Sequence, residues 1–399
     1  MHEDLLARAE RLERFAQLDP GNHALRLDLA RTYHLAGQHE AALGALDDTG
    51  DAVGVDQPLA LRGELLLALG RWDEAIALYR DAATREPASA PIAFNLAYAT
   101  WASGAPPEQI VALFRMAVEL DPSQQRAWRL LATVLSDAGE PVSAMQTIEQ
   151  ALTLAPEDAE TLRVAAQLHL EAGQLEMAAR HIDRSVAAAP ASAEAWALKG
   201  TIALFAMDAA AAWKSLRQAA DLAPDDVSTQ VSLAQAALMQ GRARHARSVT
   251  EAALQIEPGN EEALCLLGWA CLCDDDAATA ATAFSRLTVE APQNAEGWAG
   301  SAVLALAGGR NDEARAAVDR ALALDPQQAA AVLVDARLRE TAGRSEDAKA
   351  IVASLLGTGA GGPITGNMAA LLGSAPARKL VARQQRRLGR QAQLASRQH

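Results

Sequence analysis

The chain has 399 residues, of which half are hydrophobic, and a formal net charge of −14 at pH 7. This acidic balance argues against nucleic acid as the main ligand, and no apolar run approaches the ~20 residues that a membrane-spanning helix needs. The acidic start of the chain lacks the basic and apolar regions of a signal peptide, so we expect a cytoplasmic protein. Arginine outnumbers lysine 32 to 4, a bias typical of a bacterial protein from a GC-rich genome.

The first predicted element is a single helix over residues 3–18, which ends before Asp19 and Pro20. No partner helix precedes it. We expect it to cover the apolar edge of the segment that follows, as the end of a repeat array requires. Residues 1–22 are therefore predicted to form an amino-terminal capping helix.

From residue 23 onward, the chain repeats with a period of 34 residues. Prolines mark the period, with a first step of 35 residues and six further steps of 34. A proline at this place ends one helix and begins the connection to the next unit. A period of this length predicts an array of helical repeats rather than one central core. The prolines are Pro87, Pro122, Pro156, Pro190, Pro224, Pro258, Pro292 and Pro326.

Three other positions recur when each unit is numbered so that its proline is residue 32. Position 20 is alanine in nine of ten units, position 15 is glycine in seven, and position 8 is small in all but one, which has Tyr98. Small residues let two antiparallel helices approach closely, and glycine ends the first helix in the left-handed conformation. In the third unit Ala105-Pro106-Pro107 replaces the glycine turn. Met207 and Asp275 take position 15 in the sixth and eighth units, which leaves the geometry of these three turns open.

This pattern resembles the tetratricopeptide repeat family. Residues 70–79, GRWDEAIALY, are close to the family's inter-helix consensus, and Trp128, Trp196 and Trp298 stand at position 4, where the family favours tryptophan. The resemblance covers about residues 23–362. It implies an all-α, right-handed superhelical solenoid of about ten helix-turn-helix units. It also implies that positions 2, 5, 9, 12 and 13 of each first helix line a concave, partner-binding groove.

In the amino-terminal half these groove positions are mainly polar. Arg129 and Arg163 occupy position 5 of successive units, so both are expected to project into the groove. Two guanidinium groups placed in this way could hold a carboxylate or a phosphate with bidentate geometry. The alternative is that Glu160, Asp137 and their neighbours simply neutralise these arginines.

Toward the carboxyl end the groove positions become apolar. Trp269 beside Met239 and Leu272 would form an exposed apolar patch, and such patches usually mark interaction sites. The alternative is that crowding between repeats buries this stripe. The predicted partner-binding residues of the whole groove are Asn95, Arg126, Arg129, Arg163, Gln167, Phe205, Leu238, Met239, Trp269 and Leu272.

No catalytic or cofactor-binding arrangement is evident in the sequence. Cys265, Cys271 and Cys273 lie on one predicted helix with a spacing that does not direct them to one point. A structural zinc site needs four converging ligands, so we expect reduced thiols and predict neither a metal nor a cofactor.

The chain after Leu356 begins with a glycine-rich break, and residues 363–399 are predicted to form a degenerate carboxyl-terminal unit with a basic helical tail. This segment has seven basic residues and no acidic residue, which leaves −21 on residues 1–362. It could be a solvated cap, could contact the acidic array of its own or another subunit, or could bind an anionic membrane or an acidic protein. Its basic residues are Arg378, Lys379, Arg383, Arg386, Arg387, Arg390 and Arg397.

We therefore predict a non-enzymatic scaffold or adaptor that binds a protein or peptide segment along the concave face. The resemblance implies roles such as assembly of a secretion, pilus or polysaccharide export machine, or chaperoning of its subunits. The alternative is a regulatory or targeting subunit of a separate enzyme, docked through the basic tail. A nucleic-acid or membrane binder that acts through the tail ranks third.

Overall fold

The computed structural model describes residues 2–47 and 56–357, which form 21 α-helices and no strand. The predicted all-α repeat fold is confirmed. Even-numbered helices from α2 are the first helices of ten repeats, and odd-numbered helices from α3 are the second helices. Of the predicted carboxyl-terminal parts, residues 363–399 and all of the glycine-rich break except Gly357 lie outside the described residues.

The helices divide between two compact units, Met1–Ala172 and Gly173–His399. The amino-terminal unit contains α1 (His2–Leu18), α2 (His23–Leu35), α3 (His39–Asp47), α4 (Asp56–Ala68), α5 (Trp72–Arg85), α6 (Ala90–Ala102), α7 (Pro107–Leu120), α8 (Gln125–Asp137), α9 (Pro141–Leu154) and α10 (Ala159–Glu171). The carboxyl-terminal unit contains α11 (Leu175–Ala188), α12 (Ala193–Phe205), α13 (Ala209–Leu222), α14 (Val227–Met239), α15 (Ala243–Ile256), α16 (Glu261–Cys273), α17 (Ala277–Glu290), α18 (Ala295–Ala307), α19 (Asn311–Leu324), α20 (Ala329–Thr341) and α21 (Ser345–Gly357). None of the described helices has both the length and the hydropathy that a membrane crossing requires.

Helix α1 packs against α2 and buries Ala9 and Ala16 beside Leu29. Along each unit, every second helix contacts the first helix of the next repeat, so neighbouring repeats share a continuous core. This arrangement is the expected one for a repeat protein, in which each repeat contacts mainly its neighbours.

The small residues at positions 8 and 20 have the predicted packing role. Position 20 is buried in all ten repeats. Position 8 is glycine where the facing side chain on the second helix is large, as in the pairs Gly63–Tyr79 and Gly268–Phe284. A Cβ atom on Gly268 would lie 2.5 Å from Phe284 Cζ, which is far inside van der Waals contact.

The turn at the end of each first helix is left-handed. Seven glycines at position 15 have φ between 70° and 77°, and Met207 (φ 58°) and Asp275 (φ 63°) keep the same conformation without being glycine. This conformation costs a non-glycine residue about 1–2 kcal/mol. The seven glycines are Gly37, Gly70, Gly139, Gly173, Gly241, Gly309 and Gly343.

In the third repeat, the expectation that Ala105-Pro106-Pro107 replaces the glycine turn is wrong. Gly104 has φ 72° and supplies the left-handed residue. The extra residue of the 35-residue step lies after it, before α7. Measured from Gly104, position 8 is Ala97, which is fully buried, and Tyr98 belongs to position 9. The rule of a small residue at position 8 therefore holds in this repeat as well.

Tryptophan at position 4 ties the start of a first helix to the proline before it. In three repeats the indole N–H donates a hydrogen bond to the proline carbonyl oxygen, and Arg26 Nε makes the same bond to Pro20 in the first repeat at 3.0 Å. Each bond links the first helix of one repeat to the proline that follows the preceding helix. The tryptophan pairs are Trp128–Pro122 at 2.9 Å, Trp196–Pro190 at 2.9 Å and Trp298–Pro292 at 3.0 Å.

Candidate interaction surface

First helices of neighbouring repeats lie side by side and form a layer within each unit. Helices α2, α4 and α6 make such contacts in the amino-terminal unit, as do α8 and α10. In the carboxyl-terminal unit the layer runs from α12 to α20. The positions assigned to the groove lie on these helices, so the side chains that different repeats place on the layer decide what it can bind.

Arg129 on α8 and Arg163 on α10 converge on one carboxylate. Glu160 Oε2 lies 3.4 Å from Arg129 Nη1 and 2.9 Å from Arg163 Nη2. Glu160 is half exposed, whereas the two arginine side chains are largely buried. The sequence left two alternatives for this pair, an anion-binding site or two arginines neutralised by acidic neighbours. Each is correct in part, because the two arginines lie together and Glu160 lies between them.

Arg129 is the less well compensated of the two arginines. Its side chain is 18% exposed, and its only ion pair among the described residues is the 3.4 Å contact with Glu160. Its buried Nε has no hydrogen-bond partner among the residues that the structure describes. Burial lowers the pKa of Arg129, and the carboxylates of Glu160 and Asp158 oppose that shift. A partly buried charge with an unsatisfied donor gains more from an added anion than a solvated one does.

Arg126, at position 2 of the same helix, lies over an aromatic shelf formed by Phe94, Tyr98 and Trp101 of α6. Its Cζ atom is 5.5 Å from the ring centre of Phe94 and 5.1 Å from that of Tyr98. Tyr98 and Trp101 have ring centres 5.6 Å apart. Arg126 is exposed and forms no ion pair within the described part of the chain. The rings hold the guanidinium by cation–π attraction and leave its N–H groups available.

The aromatic shelf was missed because the sequence register of the third repeat was displaced by one residue. Asn95, predicted at position 5, takes position 6 when counted from Gly104, and it is partly buried. Phe94 occupies position 5 in its place. The proline step of 35 residues was the signal that could have revealed this shift.

At the other end of α8 and α10 the layer is acidic. Gln167 Nε2 and Ser136 Oγ both donate to the Glu171 carboxylate at 2.7 Å. Asp137 lies close by, and burial together with Glu171 raises the pKa of its carboxyl. Gln167 thus holds a carboxylate of its own chain, and the amino-terminal unit presents arginines at one end of these helices and carboxylates at the other.

In the carboxyl-terminal unit, the expectation of an exposed apolar groove is wrong for most of its predicted residues. Trp269 is 3% exposed, and Leu238 and Leu272 are also buried. Met239 is partly buried, while Phe205 remains 45% exposed. Crowding between repeats, the alternative left open by the sequence, accounts for the burial.

Trp269 has well-defined partners in this core. Its ring packs edge-on against Phe284 with ring centres 5.2 Å apart, and its indole N–H donates to Glu296 Oε2 at 3.2 Å. Cys265 Sγ lies 3.9 Å from the same oxygen. Burial raises the pKa of Glu296. The side chain is therefore a structural element joining α16 to α18.

The three cysteines are free thiols, and burial raises the pKa of both Cys271 and Cys273 to about 11. Thiols with so little thiolate at neutral pH are poor nucleophiles. Within the described residues, no group of three or more His, Cys, Asp or Glu side chains is arranged to hold a metal ion.

Fold and surface together define the class of this protein as a helical-repeat interaction module. One tetratricopeptide repeat model matches residues 61–125, 274–329 and 300–363, and a second matches residues 135–202. These matches cover more than half of the chain, which therefore belongs to the tetratricopeptide repeat family. Repeats of this family are generally non-enzymatic modules for protein–protein interaction.

Several solved structures of tetratricopeptide repeat or related proteins are similar to the chain. YrrB, described as a repeat protein with an unusual peptide-binding site, is 17% identical over 46% of this chain and 95% of its own, with a TM-score of 0.41. PilF of Pseudomonas aeruginosa is 16% identical over 52% and 93%, with a TM-score of 0.45. A repeat protein from Parabacteroides merdae is 15% identical over 59% and 93%, with a TM-score of 0.48. No curated protein sequence matches the chain.

Proposed function

We propose that the protein is a scaffold or adaptor that binds an acidic segment of a partner protein on the first-helix layer of α6, α8 and α10. The observation that carries the proposal is the imbalance between three guanidinium groups and the two carboxylates that act on them, Glu160 and Asp158, of which only Glu160 forms ion pairs with them among the described residues. Arg126, Arg129 and Arg163 face this region, and Glu160 is paired with the last two. A carboxylate from a partner would offset the remaining positive charge.

The geometry favours an acidic peptide over a free anion. Arg126 is held against aromatic rings while Arg129 is held by helix packing, so their donors are ordered before a ligand arrives. The exposed edges of Tyr98 and Trp101 add apolar area beside the charges, and a peptide side chain can cover it. Ion pairs with arginine give register and specificity, whereas aromatic contacts give most of the buried area.

The proposal can be tested with a fluorescein-labelled peptide of alternating glutamate and glycine, followed by fluorescence anisotropy at physiological ionic strength. We expect the double substitution Arg129→Ala and Arg163→Ala to weaken binding at least about tenfold, because hydrogen bonds to charged groups are each worth about 1.5–3 kcal/mol. The matched control replaces Arg85 and Arg115 with alanine. These arginines lie on second helices, are exposed and form surface ion pairs, so the control removes the same charge without touching the layer.

Glu160→Gln separates the proposal from a purely structural role of the arginines. If Glu160 occupies donors that a ligand would use, its neutralisation should tighten peptide binding while both arginines remain in place. Unchanged binding by the double arginine variant, with helicity intact, would show that the arginines are neutralised structural charges. Within this proposal, the specific roles are assembly of a secretion, pilus or polysaccharide export machine, or chaperoning of the subunits of such a machine. Identifying the natural partner protein of the arginine site would distinguish these roles.

A further inference from the structure

The carboxyl-terminal unit contains an acidic cavity of about 650 Å³ where α16, α18 and α20 begin. Three carboxylates line it, those of Glu261, Glu296 and Asp325, and its lining includes no lysine or arginine. None of the three carboxylates forms a salt bridge within the described residues. Glu261 accepts a hydrogen bond from Asn294, whose Nδ2 lies 2.9 Å from Glu261 Oε2.

Glu296 is the deepest of these carboxylates. A carboxylate near a helix amino terminus is ordinarily stabilised by the helix dipole in water, but Glu296 turns inward against the Trp269 indole. Burial of an ionised carboxylate without a cation is costly. A cationic group that entered the cavity would offset this cost and would find Asp325 and Glu261 beside it.

Gln328 gives a second, independent indication of a ligand. This residue is 1% exposed, and its side-chain oxygen accepts a hydrogen bond from the Ala331 backbone N–H at 2.7 Å. Gln328 also lines the cavity, and its amide group acts on the Glu296 carboxylate and opposes the burial that raises the pKa of that group, while its Nε2 meets the geometry of a hydrogen bond with no described residue. A buried unsatisfied donor destabilises a folded protein. The cavity therefore offers carboxylate acceptors and one buried donor, which matches a basic peptide with its cationic side chains and backbone carbonyls.

We infer that this cavity binds the basic carboxyl-terminal segment of the same chain, residues 363–399. The segment carries seven basic residues and no acidic residue, so its charge is complementary to the lining. Helix α21 ends at Gly357 in the last repeat, and the cavity lining reaches the start of α20, the first helix of the same repeat. The 21 residues that follow Gly357, up to and including Arg378, can span up to about 70 Å, whereas neighbouring packed helices are only about 8–10 Å apart.

This docking does not depend on the proposed peptide site, because it uses a different compact unit and the opposite charge. The test uses the full chain and amide hydrogen exchange measured at both partners. One variant neutralises the segment, and another neutralises the cavity through Glu261→Gln and Glu296→Gln. Glu313→Gln is the matched control, since Glu313 is exposed in the ninth repeat, outside the cavity lining. The segment variant carries Arg383→Gln, Arg386→Gln, Arg387→Gln and Arg390→Gln.

We expect the segment variant to exchange faster at residues 291–297 and 325–331, up to about fivefold for each ion pair removed. The cavity variant should in turn speed exchange within residues 377–397, a change that a merely structural role of Glu296 would not produce. Combining the two variants should add nothing further, and the control should behave as wild type. Identical exchange of the segment in wild type and cavity variant would overturn the inference. The inference would also be overturned if protection of residues 363–399 from hydrogen exchange increased with protein concentration. That result would show that the segment binds a second copy of the chain.

Discussion

The indole N–H of Trp269 donates a hydrogen bond to the carboxylate of Glu296, with Nε1 3.2 Å from Oε2. The two residues occupy position 9 of one repeat and position 2 of the next, 27 residues apart in the chain. In the third and fourth repeats the same two positions hold Tyr98 and Arg126, whose guanidinium carbon is 5.1 Å from the ring centre. One contact is buried in a core and the other lies at the surface.

Trp269→Ala is therefore expected to destabilise the eighth repeat by about 3–5 kcal/mol, the usual cost of removing a buried aromatic side chain. The loss should be visible as faster hydrogen exchange in α16 to α18. Trp269→Phe is the comparison variant, because it retains an aromatic ring beside Phe284 and removes the hydrogen bond together with a smaller part of the buried ring volume than alanine does. An alanine variant as stable as wild type would contradict the buried position.

Glu296 is expected to make stability depend on pH. Burial raises the pKa of its carboxyl in the folded protein, so between the ordinary carboxyl pKa of about 4.3 and this raised value the folded state binds more protons than the unfolded state. Stability from this group is then present below that window and is lost as pH rises through it. Asp325, which also faces Glu296, adds to the upward shift.

The measurement compares wild type with Glu296→Gln by urea denaturation between pH 5 and pH 7, both in the background with the neutralised basic segment. Glutamine keeps an acceptor for the Trp269 indole but cannot ionise. The glutamine variant should gain stability relative to wild type as the pH rises. A difference that stays constant with pH, or that reverses sign, would rule out a raised carboxyl pKa.

Gly268→Ala is expected to destabilise the eighth repeat by about 1–3 kcal/mol through overpacking, because the added carbon would lie 2.5 Å from Phe284 Cζ. Phe284→Leu should recover part of this loss by making room. Gly259→Ala is a suitable control, since nothing lies within 4 Å of an added carbon there. Local unfolding free energies from hydrogen exchange provide the readout, and equal stabilities of the two alanine variants would refute the steric argument.

Met207→Gly is expected to stabilise the sixth repeat by about 0.5–1 kcal/mol. Met207 has φ 58°, and relief of the left-handed strain, about 1–2 kcal/mol, exceeds the added entropy of glycine in the unfolded chain. The side chain is 52% exposed, so little burial is lost. The reciprocal variant Gly241→Met should lose stability at the equivalent turn, and a glycine variant that melts earlier than wild type would show that Met207 makes a compensating contact.

Much of the fold could be predicted because its determinants lie within one repeat. The alanine of position 20, the left-handed turn residue and the proline each act on residues a few positions away. The numbering of repeat positions was wrong in the third repeat, because one extra residue after Gly104 displaced it by one. Phe94 and Tyr98 were therefore not recognised as residues at positions 5 and 9. Counting back from the left-handed glycine, instead of back from the proline that ends the unit, gives the correct register.

The candidate site was predicted less well because exposure is not a local property. Arg129 and Arg163 could be placed together from their spacing alone. Their shared contact with Glu160 and the unsatisfied Nε of Arg129 depend on side-chain geometry across two helices. Trp269 was placed in the correct position of its repeat, yet its burial is decided by α17 and α18.

The sequence by itself determined that this protein is an all-α array of two-helix repeats. The 34-residue period and the small residues at the helix contacts can both be identified from the sequence without knowledge of the tertiary structure. The tertiary structure alone decided which groove positions remain available to a ligand. The physical reason is that solvent access at a residue depends on what the next repeat places over it, such as an inward-turned Glu296 over Trp269 or an outward-facing Arg126 over Tyr98. Identical repeat positions therefore serve as core in one place and as surface in another.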